Sequence, residues 1–276
     1  MEWIVTFVVV VVAAFALGMA SYVMGSFYLA YTFGERRAVG SFFREVLRET
    51  LWAIFTQPLL PLFYFIGRRL AGGSGTPVVF VHGYSQNRVN FLYLARALGK
   101  RGRGPLYGFN YAWLRDLPTI ARSLGEFIDE IRAETGASKV DLVCHSMGGL
   151  VAAQYLAHEG GGDKVRRWAT IATPHKGVAY KGPIIGRASK ALRSGHGLDK
   201  LPDLPLLSIY STHDNVVFPA SSSHIAEPGT NLALAGFGHL AILFVPATAD
   251  AIAGFLEAPD APKKAIAVPV EAPAGA

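Results

Sequence analysis

Three residues of types that support nucleophilic catalysis follow apolar runs in the second half of the 276-residue chain. Ser146 lies in VDLVCHSMGGLV, Asp214 in YSTHDNVVFP and His239 in AGFGHLAIL. A serine hydroxyl is a weak nucleophile, and it becomes reactive when a histidine accepts its proton and a carboxylate orients that histidine. We therefore predict an acyl-transfer site with Ser146 as nucleophile, His239 as base and Asp214 as acid.

The serine stands on a strand–turn–helix pattern, which is the context that a nucleophile elbow needs. The segment KVDLVCH reads as a strand and MGGLVAAQYLAHEG as a helix. Read as G-x-S-x-G, the motif departs at its first position, where Cys144 replaces glycine, while Gly148 keeps the small residue on the far side. Because glycine-rich turns that contain serine are common, the motif gains its weight from the partners that follow it in order.

The elements around these residues predict an α/β domain. Short apolar runs alternate with segments of helical periodicity, as in PVVFVHG, PLYGFNY, KVDLVCH, VRRWATIATP, LPLLSIYST and NLALAGFG. This alternation is typical of a mostly parallel sheet with helices on both faces. In such sheets ligands bind beyond the carboxyl ends of the strands, where all three predicted catalytic residues stand.

Backbone N–H groups must also stabilise the oxyanion of an acyl-transfer reaction. Met147, next after the nucleophile, would supply one, and Tyr84 in the early loop VFVHGYSQN would supply the other. Gly83 lets that loop turn close to the substrate. We expect His82 to brace the loop through hydrogen bonds and His145 to point away from the nucleophile.

Other residues compete for the roles of acid and base. Asp199 and Asp203 precede the strand LPLLSIYST, so position favours the aspartate that follows it. His224 precedes the last strand and His213 adjoins the predicted acid. A base must come from a loop beside the nucleophile, which favours the histidine at position 239.

The segments VVFVHGY, VDLVCHSMGG, IATPHKG, THDNVV and FGHL resemble the bacterial lipase and esterase branch of the α/β-hydrolases, especially small lipases with a nearly minimal core. The resemblance covers about residues 76 to 256. It implies the same Ser–Asp–His order, the same oxyanion pair and no cofactor. The chain departs from the family at Cys144 and in its N-terminal region. The spacing of His, Cys and Asp residues indicates no metal site either.

The N-terminal region predicts a membrane anchor at residues 1–35. From Ile4 to Phe33 there are 30 residues without a charge, and about 20 apolar residues suffice to cross a bilayer. A cleavable signal peptide is the alternative, but its apolar core is about 7 to 15 residues long and follows a basic start. Here the start carries Glu2.

An amphipathic, interfacial segment is predicted at residues 36–75. Apolar residues recur at helical spacing, with Arg44, Glu45, Arg48 and Glu49 on the other face. Such a helix lies on a membrane or packs on the domain. The proline-broken stretch TQPLLPLFYFIGRRL reads as interfacial or as part of a hydrophobic entrance, and the glycine-rich AGGSGTP reads as a linker.

The catalytic domain is predicted at 76–257, with an insertion at about 175–204 that forms either a small lid or a plain connecting helix. An Ala/Pro-rich disordered tail is expected at 258–276. Arg36, Arg37, Arg44 and Arg48 follow the anchor, so the positive-inside rule favours a cytoplasmic domain.

The bulk composition fits a membrane-associated enzyme. The chain is 51% hydrophobic. Its net charge is +6, but the sequence has no run of basic residues interleaved with aromatic residues, so we expect no nucleic-acid partner. We expect a membrane-anchored serine hydrolase that cleaves lipid or acylglycerol esters. A phospholipase or thioesterase on the same triad, and a non-catalytic membrane-tethered binding protein, are the alternatives. The oligomeric state stays open.

Overall fold

The computed structural model describes residues 2–34, 39–180, 182–196, 201, 203–227 and 229–258. The expected disordered tail lies outside the described residues except for its first residue. Asp199, one rival for the acid, also lies outside them.

A seven-stranded sheet forms the centre of the domain, in the order β1-β3-β2-β4-β5-β6-β7. Only the edge strand β1 is antiparallel to its neighbour; the pairs among the other six are parallel, as predicted. The strands are β1 (Arg69–Ala71), β2 (Val78–Val81), β3 (Leu106–Phe109), β4 (Val140–His145), β5 (Val165–Ile171), β6 (Leu206–Ser211) and β7 (Thr230–Leu234).

Helices cover both faces of this sheet, which confirms the predicted layers. The helices α3 (Leu92–Gly99) and α7 (Pro246–Glu257) cover one face, and α4 (Leu117–Thr135) and α5 (Met147–His158) cover the other. Each face of the sheet has its own hydrophobic core, and alternate residues of β2 point into one or the other. Val78 and Phe80 pack with the first pair of helices, and Val79 and Val81 pack with the second. The insertion contains the short helix α6 (Ser189–Ser194).

The sheet begins earlier than the sequence indicated. Strand β1 lies within the segment assigned to the interfacial region, and it pairs with β3 on the edge of the sheet. Its three residues form too short a run for a period-2 pattern to be recognisable. Backbone pairing with β3, rather than local sequence, therefore accounts for this strand.

Two helices precede the sheet. The first, α1 (Glu2–Phe33), is long and apolar enough to cross a membrane by length and composition alone. Its residues from Glu2 to Phe15 are exposed, whereas Val23, Phe27 and Ala30 are buried. The exposed and packed parts of α1 thus divide the helix into a free first half and a docked second half.

The second helix, α2 (Val39–Thr56), packs on the domain through a mixed face, which buries Val46 and Ala53 in the core beside charged residues. Glu45 and Glu49 are buried, and the Arg48 guanidinium donates a 2.7 Å hydrogen bond to the Gly236 carbonyl. The opposite face is an apolar ridge with 44% to 71% exposure, formed by Phe43, Leu47, Leu51 and Phe55. The packing of α2 on the domain is therefore one of the two interpretations left open by the sequence, and contact of the exposed ridge with a membrane stays a prediction. Beyond α2 a 3₁₀ helix, Gln57–Tyr64, leads to the sheet.

Candidate active site

Ser146 occupies a sharp turn between β4 and α5. Its backbone has φ +53° and ψ −125°, a conformation that non-glycine residues rarely adopt. The turn is held by the Ser146 N–H, which donates to the Ile171 carbonyl at 2.8 Å, and by the Thr173 hydroxyl, which donates to the Ser146 carbonyl at 3.0 Å. Ser146 therefore has the strand–turn–helix setting that the sequence predicted.

Two glycines allow neighbouring backbone to approach this turn. A Cβ on Gly148 would lie 2.2 Å from the carbonyl oxygen of Val81, so α5 can pack against β2 only with glycine there. A Cβ on Gly83 would lie 2.8 Å from the Cβ of Ser146. The loop that carries Gly83 and Tyr84 thus passes directly over the serine.

Cys144, the residue that breaks the motif, is fully buried in the core beneath α5. Burial raises the pKa of its thiol well above the ordinary value, so the reactive thiolate is disfavoured. The departure from the motif at this position therefore concerns packing.

Asp214 and His239 meet beyond the ends of β6 and β7. The His239 Nδ1 lies 2.9 Å from the Asp214 Oδ2. The other carboxylate oxygen, Oδ1, accepts hydrogen bonds of 2.8 Å from the backbone N–H groups of Val216 and Val217. Both oxygens of the carboxylate are therefore engaged, which fixes the imidazole ring that it contacts. The rival Asp203 is exposed.

The electrostatics of the pair suit a general base. Burial of His239 acts to lower the pKa of its imidazole, but the charge of Asp214 and the hydrogen bond to it, together with Glu49, outweigh this effect. The net result is a pKa raised above the ordinary value of histidine. A carboxylate that favours the imidazolium in this way stabilises the state formed when the ring takes a proton.

A cavity of about 640 Å³ lies beside Ser146 and His239. Ser146, His239 and Tyr84 line one side of it. The insertion contributes Ile184, Ile185 and Leu192, so it forms a wall of the site rather than a remote connection. The second half of α1 supplies a further wall, formed by Ser21, Tyr22, Gly25, Ser26 and Leu29.

His82 braces the loop that carries Gly83 and Tyr84. Burial lowers the pKa of its imidazole to about 4, so the ring is neutral near pH 7. Its Nδ1 donates to the Gly83 carbonyl at 2.9 Å, its Nε2 accepts from the Tyr111 N–H at 3.3 Å, and its ring stacks on that of Tyr111 at 4.0 Å. The Tyr84 hydroxyl in turn donates to the Ile185 carbonyl at 2.9 Å, which joins the loop to the insertion.

His145, which the sequence suggested was structural, contacts the predicted base. Its Nε2 donates to the His239 carbonyl at 3.0 Å, and the two ring centroids are 4.7 Å apart. Burial lowers the pKa of His145 well below the ordinary value, so it serves as a neutral donor. The residue before Ser146 thereby supports the loop that carries the predicted base.

The sequence analysis missed a hydrogen-bonded path from α1 to the predicted base. The Asn215 Oδ1 accepts from the His239 N–H at 2.8 Å, and the Asn215 Nδ2 donates to the Ser26 hydroxyl at 2.7 Å. Asn215 directly follows the predicted acid, which is a signal that could have drawn attention to it. Ser26 lies in an apolar helix with no signal of its own.

Glu49 was also missed as a residue of the site. Its two carboxylate oxygens accept from the N–H groups of Leu240 and Ala241 at 2.7 and 2.8 Å. Burial raises the pKa of this carboxyl to about 7, against the opposing effect of these hydrogen bonds. The amphipathic pattern placed Glu49 on a charged face without indicating that this face would hold the His239 loop.

Comparisons with known proteins agree with this architecture. The family model described as alpha/beta hydrolase fold matches residues 76–184. A mature-form lipase of Bacillus licheniformis is similar at 20% identity and TM-score 0.56, over 63% of this chain and 90% of that chain.

Two further solved structures show the same fold. Naproxen esterase of Bacillus subtilis has 14% identity and TM-score 0.52, over 67% of this chain and 86% of that chain. A bromoperoxidase of Bacillus anthracis has 16% identity and TM-score 0.55, over 67% of this chain and 93% of that chain. The chain therefore has the α/β-hydrolase fold.

Proposed function

We propose that this protein is a serine hydrolase that cleaves carboxylic esters through Ser146, His239 and Asp214. The observation that carries the proposal is the 2.9 Å contact between the His239 Nδ1 and Asp214, in a cavity that Ser146 also lines from a left-handed turn. Nucleophile, base and orienting acid are the three parts that acyl transfer requires. The lipases and esterases among its structural neighbours agree with this reaction class.

In the proposed reaction, the His239 Nε2 takes the Ser146 proton while the Ser146 Oγ bonds to the ester carbonyl carbon. The backbone N–H groups of Met147 and Tyr84 stabilise the resulting oxyanion, and one such donor is worth about 3 kcal/mol. Collapse of the intermediate breaks the ester bond, and His239 returns the proton to the departing alcohol. Water, activated by the same histidine, then releases the acid from the acyl-enzyme.

The proposed substrates are lipid esters, acylglycerols among them, at a membrane. An exposed apolar half of α1 and the apolar ridge of α2 precede a domain whose cavity is mainly lined by apolar side chains. We propose that α1 is retained as a single-pass anchor, because its second half packs into the domain and a cleavable leader would have no such role. The arginines after α1 favour a cytoplasmic domain.

A fluorophosphonate probe tests the proposed nucleophile. The wild-type protein is expected to be labelled covalently at Ser146 and to hydrolyse p-nitrophenyl butyrate, and Ser146→Ala is expected to lose both. The matched control is Ser138→Ala, an exposed serine at the other end of β4, which should keep both. Ester hydrolysis retained by Ser146→Ala would contradict the proposal. An unlabelled, inactive wild-type protein would favour a binding protein on a degenerate fold.

A further inference from the structure

Resting on the proposed function, we propose that the second half of α1 is part of the substrate site. It forms the wall against which the long apolar chain of a lipid ester lies. The pocket face of α1 is defined by Ser21, Tyr22, Gly25, Ser26 and Leu29. They form two adjacent pairs and a fifth residue that repeat at intervals of three and four, so they lie on one side of the helix. This side borders the cavity that holds Ser146 and His239.

This wall is a fixed part of the domain. Val23 and Phe27, which flank the pocket face, are buried in the core shared with α2 and the sheet. The Phe27 ring contacts that of Phe42 edge-on, with centroids 6.1 Å apart. The hydrogen bond from Asn215 to Ser26 joins the pocket face to the loop beside the predicted base. Both contacts hold α1 at a constant distance from the reacting groups.

The other walls of the cavity supply most of its apolar side chains. They come from the insertion, through Ile184 and Leu192, and from the segment after the predicted acid, through Val217 and Phe218. A cavity of about 640 Å³ falls within the range of small-molecule sites, about 300 to 1,000 Å³. The space beyond the reacting groups therefore suits a long apolar chain better than a polar headgroup.

The position of α1 also supplies a route to this cavity. The first half of the helix, through Phe15, is exposed and apolar, and the pocket face begins six residues later at Ser21. With the first half in a bilayer, a lipid chain can follow the helix from the membrane interior to Ser146 without crossing water. We expect this path to favour esters that carry a long apolar chain.

Gly25 offers a direct means of testing the wall. Among the described residues, no atom lies within 4 Å of a Cβ built on Gly25, and the glycine borders the cavity. A larger side chain there would occupy the space of the chain without displacing backbone. Gly18, seven residues earlier on α1, is exposed, has equally open surroundings and does not line the cavity. Gly18→Leu is therefore the matched control.

The experiment compares full-length wild type, Gly25→Leu and Gly18→Leu in detergent micelles. One series of p-nitrophenyl esters runs from acetyl to palmitoyl, and one series of acetate esters runs from ethyl to hexadecyl alcohol. One of the two series varies the chain that lies against α1. In that series, Gly25→Leu should lower the ratio of kcat/KM for the longest ester to kcat/KM for the shortest ester by about tenfold or more. Gly18→Leu should match wild type in both series.

A second variant distinguishes a change in the wall from a simple loss of folding. Leu29→Ala enlarges the same wall and should shift the preference the other way, towards the longest chains. An unchanged ratio of long to short esters in both Gly25→Leu and Leu29→Ala would overturn the inference while leaving ester hydrolysis intact. An equal fall for all chain lengths would overturn it too. A wild-type protein without ester hydrolysis would instead contradict the proposed function.

Discussion

The carboxylate of Glu49 accepts a 2.7 Å hydrogen bond from the backbone N–H of Leu240, 191 residues further along the chain. Its other oxygen accepts from Ala241. These two N–H groups directly follow His239, so a helix outside the matched family region holds the loop of the predicted base. The Arg48 guanidinium, which donates to the Gly236 carbonyl, holds the same loop from its other end.

Removal of this carboxylate should destabilise the protein. In Glu49→Ala, two N–H groups lose their acceptors in a buried setting, and an unsatisfied buried donor costs about 1 to 3 kcal/mol. Glu49→Gln keeps one acceptor oxygen and should lose less. Urea unfolding of both variants measures the free energies. Glu126→Ala, on the exposed side of α4, is the control, and equal stability of Glu49→Ala and this control would contradict the expectation.

The same carboxylate should influence the pH dependence of activity. The proposed base works only when neutral, so kcat/KM rises as pH increases through the pKa of His239. The charge of Glu49 is one of the factors that raise this pKa, after that of Asp214. Glu49→Gln should therefore move the acid limb of the kcat/KM profile to lower pH. The pH profiles of the wild type and the control Glu126→Gln should coincide. If the acid limb of Glu49→Gln lies at the same pH as that of the wild type, the charge of Glu49 does not influence the pKa of His239.

Asp214→Asn should reduce kcat by about four orders of magnitude, as expected when an amide replaces the orienting carboxylate of a triad. The amide cannot favour the imidazolium, and it alters which ring nitrogen carries the proton. Asp203→Asn, at the exposed rival position, should retain the wild-type rate. Hydrolysis of p-nitrophenyl butyrate measures both, and a larger loss in Asp203→Asn would reverse the assignment of the acid.

The glycine after the nucleophile turn should resist replacement. In Gly148→Ala the new Cβ would lie 2.2 Å from a backbone oxygen of β2, so α5 must shift away from the sheet. We expect destabilisation of about 1 to 3 kcal/mol, typical of overpacking. Gly254→Ala, at an exposed helical position of α7 with open surroundings among the described residues, should instead stabilise by about 0.5 to 1 kcal/mol. Thermal unfolding of the two variants compares them.

The sequence predicted the α/β layers and suggested Ser146, Asp214 and His239 because each follows an apolar strand, and parallel strands bring their carboxyl ends to one edge. It did not predict the roles of Ser26 and Glu49. Their partners lie about 190 residues away, and no local periodicity encodes a contact of that separation. Amphipathicity indicated that α2 has two faces. The face that packs combines the hydrogen bonds to the Gly236 carbonyl and to the N–H groups after His239 with the core contacts of Val46 and Ala53.

The docking of α1 and α2 against the His239 loop bears on how the site assembles during synthesis. The residues that hold the loop leave the ribosome well before the loop does, because synthesis runs from the N-terminus. With α1 in the bilayer, as proposed, the chain is already tethered when residues 239 to 241 emerge and find Asn215 and Glu49. The proposed hydrolase would then complete its site at the membrane surface, where the first helix already holds the chain.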